Sequence, residues 1–159
     1  MNRLSWILLL GLLASCASCD TGVKSKPDTL VTSGYSESEM NAAIARAHGE
    51  IDFFLDALSN KSGTDFGVKA PVTDKGQTEH FWLTDVVYRD GQFEGKIGND
   101  PGMVTNVKLG QPWKIRKEDI SDWMFMRDDK MHGNYTMRPL LKTLPAEEAE
   151  MYRAMFAKP

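Results

Sequence analysis

The feature that most constrains this chain is a change of apolar period at Gly63. Before it, Met40, Ile44, Ala47, Ile51, Phe54 and Leu58 recur at alternating spacings of four and three, which places them on one stripe of a helix. Ser36-Glu37-Ser38-Glu39 supplies a capping box, the Ser36 side chain accepting from the Glu39 backbone. The spacing therefore predicts a single helix from Glu37 to Leu58, ended by Asn60 and Gly63. After Gly63 the period falls to two and β-formers dominate until Thr143.

Within that stretch Phe66 to Val72 is predicted as a strand, with Pro71 pushing it toward a sheet edge because proline donates no ladder hydrogen bond. Thr73-Asp74-Lys75-Gly76 turns the chain into a strand from His80 to Tyr88. Asp90-Gly91 is a type I′ hairpin signal, and Gln92 to Ile97 returns. A two-residue loop pairs Arg89 with Gln92, Tyr88 with Phe93, Val87 with Glu94, Val86 with Gly95, Asp85 with Lys96 and Thr84 with Ile97. Val107–Gly110 and Trp113–Arg116 read as a short hairpin or bent strand. Trp123 to Arg127 and Lys130 to Arg138 read as two more strands around Asp128-Asp129. Thr143 to Lys158 closes the chain as a helix with Pro145 in its first turn and Ala149, Tyr152, Met155 and Phe156 inward. The expected class is α+β: a long N-terminal helix on a curved antiparallel sheet of about five to six strands, with a short C-terminal helix.

The residues ahead of this domain concern its address. Arg3 precedes an apolar run, Leu4 to Leu13, of roughly 10 residues, within the secretory range and short of the ~20 needed to span a bilayer. Leu13-Ala14-Ser15-Cys16 resembles the lipobox of bacterial lipoproteins, in which the cysteine thiol is acylated and becomes the new N-terminus. The expectation is a signal peptide over 1–15, a lipid anchor and flexible tether over 16–35, and one domain over 36–159. Cys19 fits the box less well, with Cys16 at its minus-three position. Ala17 after Cys16 favours the outer membrane facing the periplasm, whereas Asp20 follows Cys19. Ordinary cleavage with release of a soluble protein is the other reading. Cys16 and Cys19 are the only cysteines, so the mature domain has no internal disulfide, and their C-x-x-C spacing at the end of a leader does not argue for a redox pair. Loss of Arg3 leaves 18 basic against 22 acidic residues, a mild net charge of −4 with no basic block, which argues against a nucleic-acid partner.

Glu79-His80-Phe81-Trp82-Leu83, Gly91-Gln92-Phe93-Glu94-Gly95, Ile120-Ser121-Asp122-Trp123-Met124 and Gly133-Asn134-Tyr135-Thr136-Met137-Arg138 stand in an order that resembles the YegJ-like bacterial family, domain of unknown function 2314. The resemblance covers about residues 38–141, and its Ser-Asp-Trp and Tyr-Thr-x-Arg pieces are the more specific. Asn134 stands where the family often has Gly, and both tolerate positive φ. The resemblance implies no activity, ligand or catalytic residue.

Motifs that carry chemistry are sparse. His48, His80 and His132 show no helical zinc spacing, although His80, His132 and a carboxylate could meet across strands. Six methionines fall in the last third, where flexible core filling is the ordinary role and copper handling the alternative. No nucleophile elbow is present. Asp122, Trp123, His132, Tyr135, Thr136 and Arg138 form the one polar-aromatic cluster suited to a small-ligand or peptide groove. Its structural alternative is a core in which Trp123 and Tyr135 pack while Asp122 and Arg138 form an ion pair. The functional expectation is a non-enzymatic envelope lipoprotein that binds an envelope protein, peptide or small molecule, with no cofactor and no metal. The alternative is a hydrolase-like envelope enzyme using Asp122, His132 and Arg138.

Overall fold

A computed structural model describes residues 4–8, 29–31 and 33–158 of the chain. The lipobox at Cys16, the rival Cys19 and most of the expected tether lie outside the described residues. The elements in order are strands β1 (Leu4–Leu8) and β2 (Thr29–Val31), helices α1 (Glu37–Gly49) and α2 (Ile51–Asn60), and strands β3 (Thr64–Asp74), β4 (Gln77–Arg89), β5 (Gln92–Ile97), β6 (Pro112–Arg116), β7 (Asp122–Arg127) and β8 (Lys130–Gly133). A short helix α3 (Met137–Leu140) and the helix α4 (Ala146–Met155) follow. Strands β3 to β8 form an antiparallel sheet in the order β6-β5-β4-β3-β7-β8, so the fold is α+β. Strand β1 runs parallel to the start of β4 at Thr78 and Glu79 and antiparallel to β2. Among the described residues no helix is long and apolar enough to cross a membrane.

The expected single N-terminal helix is two helices. Ser36 caps α1 as the sequence predicts, accepting from the Glu39 backbone at 3.3 Å. The break comes at Glu50, whose backbone leaves the helical region at φ −107°, ψ 12°. Its cause is a long-range contact. The Trp123 indole N–H donates to the Ala47 carbonyl at 2.8 Å, taking the acceptor that Ile51 N–H would use in an unbroken helix.

The hairpin register holds at Arg89–Gln92, Tyr88–Phe93 and Val87–Glu94 and then slips, so that Thr84 pairs with Lys96 and Leu83 with Ile97. The slip is a bulge at Asp85, where φ is +53°. Gly95 permits the close approach: a Cβ there would stand 2.7 Å from the Thr84 carbonyl oxygen. Asp85 and Lys96 still form an ion pair at 2.8 Å across the slip, which the long Lys96 side chain spans. Strand β3 is central rather than an edge, but its ladder with β7 ends at Lys69, so the N–H that Pro71 lacks is not needed there. Of the segment Val107–Arg116 only β6 is a strand. The expected strand over Lys130–Arg138 stops at Gly133, where φ is +75°. Asn134 follows at φ +49°, and the chain folds over into α3.

Alternation along the strands gives the sheet two buried faces. Val68, Ala70, Phe81, Leu83, Phe93, Ile115, Trp123 and Phe125 pack under α1 and α2 against Ala47, Ile51, Phe54 and Ala57. A second core of Met40, Met131, Met137, Leu140, Leu141, Ala149, Tyr152 and Phe156 brings α1, α3 and α4 together at the β8 end, where the methionines fill irregular space. Val31, within the expected tether, belongs to this second core.

Candidate functional site

Lys69, Trp82 and Asp122 are register partners on β3, β4 and β7 and share the face turned away from α2. All three are buried. Lys69 Nζ donates to Thr136 Oγ1 at 2.9 Å and lies 4.7 Å from the Trp82 ring centroid. Thr136 in turn donates both its hydroxyl and its backbone N–H to Asp122 Oδ2 at 2.7 Å, while Trp123 N–H donates to Oδ1 at 2.9 Å. Burial pulls the Lys69 ammonium down to about 8, against the attraction of Asp122. Burial likewise pushes the Asp122 carboxyl up, opposed by Lys69 and by the hydrogen bonds from Thr136 and Trp123. The partner of Asp122 is thus the Thr136–Lys69 chain. The ion pair between Asp122 and Arg138 expected from the sequence is not formed, because the turn at Gly133 and Asn134 carries Arg138 off the sheet and onto α3.

Beside this chain stands His80, also buried, its Nδ1 2.9 Å from Ser121 Oγ, which donates to the Lys69 carbonyl at 3.1 Å. Burial, with Lys69 nearby, pulls the His80 imidazole down to about 3, so it is neutral at physiological pH. Next along β4, Glu79 accepts from the backbone N–H groups of Gly102, Met103 and Val104 at 2.8, 2.8 and 3.0 Å, which pins the loop between β5 and β6.

Arg138 reaches a different environment. Its guanidinium lies 4.3 Å from the Phe156 ring centroid and 5.5 Å from that of Tyr135. Among the described residues it makes no ion pair, and its buried Nε–H has no acceptor. Burial and the neighbouring Arg46 pull its pKa below the ordinary arginine value, against the attraction of Tyr135, Asp122 and Glu50. Arg46 stands 4.5 Å from the same Tyr135 ring and bonds Glu50 at 2.7 Å. The Tyr135 hydroxyl also donates to Glu50. Burial alone would raise the Glu50 carboxyl, but the Tyr135 and Arg46 donors hold it below its usual range. Burial and Glu50 together push the Tyr135 hydroxyl up, so it stays a donor. Lys142 pairs with Glu39 at 2.6 Å. Glu39, Arg46, Tyr135, Arg138 and Lys142, with Ala42, Ala43 and Pro139, line a cleft of about 350 Å³ between α1 and α3.

The six residues singled out from the sequence therefore divide. Tyr135 and Arg138 line the cleft, and Trp123 supports it from beneath, edge-on to Tyr135 with ring centroids 5.6 Å apart. Asp122 and Thr136 belong to the buried chain behind. His132 stacks on Phe125 at 4.9 Å beside Phe53, on the sheet face opposite Asp122. Asp122, His132 and Arg138 do not converge, which removes the geometric basis of the hydrolase-like reading. Among the described residues no group of three histidines, cysteines or carboxylates is placed to hold a metal ion, and His80 and His132 are separated by β3 and β7. Sequence reasoning missed Arg46, Glu50, Lys142 and Lys69. Arg46 and Glu50 carried one local signal, their i,i+4 spacing on a helix. Lys69 carried none, since its outward parity in β3 reads as solvent-facing.

Comparison with known proteins places these residues within a bacterial lineage. The family described as "Uncharacterized protein conserved in bacteria (DUF2314)" matches residues 37–157. The "Uncharacterized protein YegJ" of Escherichia coli (strain K12) is 52% identical over 152 residues, 96% of this chain and 97% of that protein. The "Putative ankyrin repeat protein NMB1133/NMB1171" of Neisseria meningitidis serogroup B is 33% identical over 123 residues, 71% of this chain and 49% of that protein. No solved structure matches the chain.

Proposed function

We propose that this chain, which belongs to the DUF2314 family of bacterial proteins, is a non-enzymatic binding module of the cell envelope that takes its ligand in the cleft between α1 and α3. The observation that carries the reading is Arg138: a half-buried cation beside two aromatic rings, with no acid and no hydrogen-bond acceptor of its own among the described residues. A buried donor left unmade costs about 1–3 kcal/mol. The terminal guanidinium nitrogens are not buried as Nε is, and they are the donors that a ligand in the cleft reaches.

The address is part of the same proposal. Lipid on Cys16 holds the domain at the outer membrane, facing the periplasm, as Ala17 favours; the cleavage that frees Cys16 removes β1 with the rest of residues 1–15, so the mature sheet is β3 to β8 with β2 beside the second core. Two or three acyl chains hold firmly where one binds marginally. The partner is an envelope protein, a peptide or a small molecule rather than a nucleic acid. A relative about twice as long, in which the matched region makes up 49% of a protein named for ankyrin repeats, fits a module used for binding in more than one setting.

Two measurements test it. Metabolic labelling with an alkyne fatty acid should mark the wild-type protein in membranes and fail on Cys16→Ser; labelling that persists in the variant refutes the anchor. Ligand retained by the protein purified from envelopes should be lost in Arg138→Gln if the cleft holds it. Retention unchanged in that variant would place binding elsewhere.

A further inference from the structure

The charges around the cleft do not cancel. Arg46 bonds Glu50 at 2.7 Å and Lys142 bonds Glu39 at 2.6 and 2.8 Å, while Arg138 makes no ion pair among the described residues: Asp122 and Glu50 attract it from farther away, but Glu50 is bonded to Arg46 and Asp122 is linked through Thr136 to Lys69. Arg46, Lys142, Arg138 and Lys69 against Glu39, Glu50 and Asp122 leave one positive charge, and it resides on the guanidinium beside the rings of Phe156 and Tyr135. Stacking orients that plane without neutralising it. A planar guanidinium with free donors matches a carboxylate in two parallel hydrogen bonds. Ala42 and Ala43 of α1 and Pro139 of α3 supply the apolar part of the lining.

We propose that the cleft binds a ligand through a single carboxylate, such as the free C-terminus of a short peptide, with Arg138 as the counter-ion and Ala42, Ala43 and Pro139 against the adjoining aliphatic groups. The proposal deepens the binding reading and rests on it. One surplus positive charge neutralises one carboxylate. A phosphate monoester carries about −1.5 to −2 at neutral pH and would need a second free cation, obtainable here only by breaking the pairs made by Glu39 or Glu50. The volume of about 350 Å³ lies at the small end of ligand pockets, which suits two or three small residues rather than a folded surface.

The test titrates the full chain, purified in non-ionic detergent, with N-acetyl-Ala-Ala, with the same peptide as its C-terminal amide, and with inorganic phosphate. Calorimetry gives affinity, and arginine side-chain resonances report the site. The acid should bind and shift the Arg138 resonance, and the amide should bind at least roughly tenfold more weakly, the loss of a charge-assisted hydrogen bond. Arg138→Gln should lose the preference for acid over amide. Glu39→Gln, which adds to the surplus charge, should tighten the acid by about two- to fivefold, and Lys142→Gln should weaken it by a similar factor, the range for exposed charges. Both of those positions are solvent-facing, so the pair of opposite shifts remains readable if Arg138→Gln does not fold. Acid and amide binding equally, both weakened by Arg138→Gln, would sink the carboxylate while leaving the cleft as the binding site. Phosphate binding more tightly than the acid would replace it with a phosphate site. No binding by any probe up to solubility would overturn the inference.

Discussion

The indole N–H of Trp123, on β7, donates to the carbonyl of Ala47, on α1, and this one bond divides the N-terminal helix. It also sets Glu50 at the break, where the carboxylate receives both Arg46 and the Tyr135 hydroxyl. The candidate cleft is therefore built on a kink that originates 76 residues away in sequence. Trp123→Phe should lower stability by about 1–3 kcal/mol through the lost bond and the space it vacates, measured by denaturant unfolding. Gly49→Ala should act in the opposite sense. A Cβ at Gly49 meets nothing within 4 Å, so alanine should be neutral or stabilise by up to about 1 kcal/mol. A large loss there would mean that glycine, not Trp123, makes the break.

Gly133 is the backbone position least able to change. Its φ is +75°, and an added Cβ would stand 2.2 Å from the Trp123 carbonyl oxygen and 2.5 Å from its ring. Gly133→Ala should destabilise by more than about 3 kcal/mol, measured by denaturant unfolding followed by circular dichroism. Asn134→Gly, at the neighbouring position with φ +49° and open to either residue, should change stability by less than about 1 kcal/mol.

The neutral imidazole of His80 gives the fold an acid limit. Its folded value of about 3 lies below the ordinary 6.5, so between those values the unfolded chain binds the extra proton and stability falls as the pH is lowered. In His80→Asn, whose amide still reaches Ser121, the dependence of unfolding free energy on pH between 4 and 6 should drop by about 1.4 kcal/mol per pH unit, one proton's worth. The raised Asp122 carboxyl works in the opposite direction, favouring the folded state at low pH, and is present in both proteins. An unchanged slope would mean that His80 is protonated in the folded state.

Glu79→Gln tests the loop between β5 and β6. The carboxylate accepts three backbone N–H groups across its two oxygens, and an amide retains only one acceptor oxygen. Hydrogen exchange at Gly102, Met103 and Val104 should accelerate by at least about tenfold, with roughly 1–3 kcal/mol lost overall. Exchange confined to its wild-type rate at all three amides would show that the loop is held by other contacts.

Local information in the sequence determined much of the architecture. The capping box at Ser36 and the Asp90-Gly91 turn each act within a few residues and appear in the fold where they were expected, and the apolar spacing from Met40 to Leu58 is helical though divided between α1 and α2. So do the strand assignments of β3, β4, β5 and β7, since period-two alternation reflects burial of one face. Tyr135 and Arg138 were legible as unusual because aromatic and cationic types adjoin there. Tertiary structure alone decided the rest. It split the helix with a bond from β7, slipped the hairpin at Asp85, buried the outward face of β3 so that Lys69 became a core residue, and turned Arg138 away from Asp122. The physical reason is common to all four. Periodicity and turn propensity are short-range properties of the backbone, whereas which carbonyl a distant indole captures, and which charge is left unpaired, depend on groups that only the closed fold brings within hydrogen-bond distance.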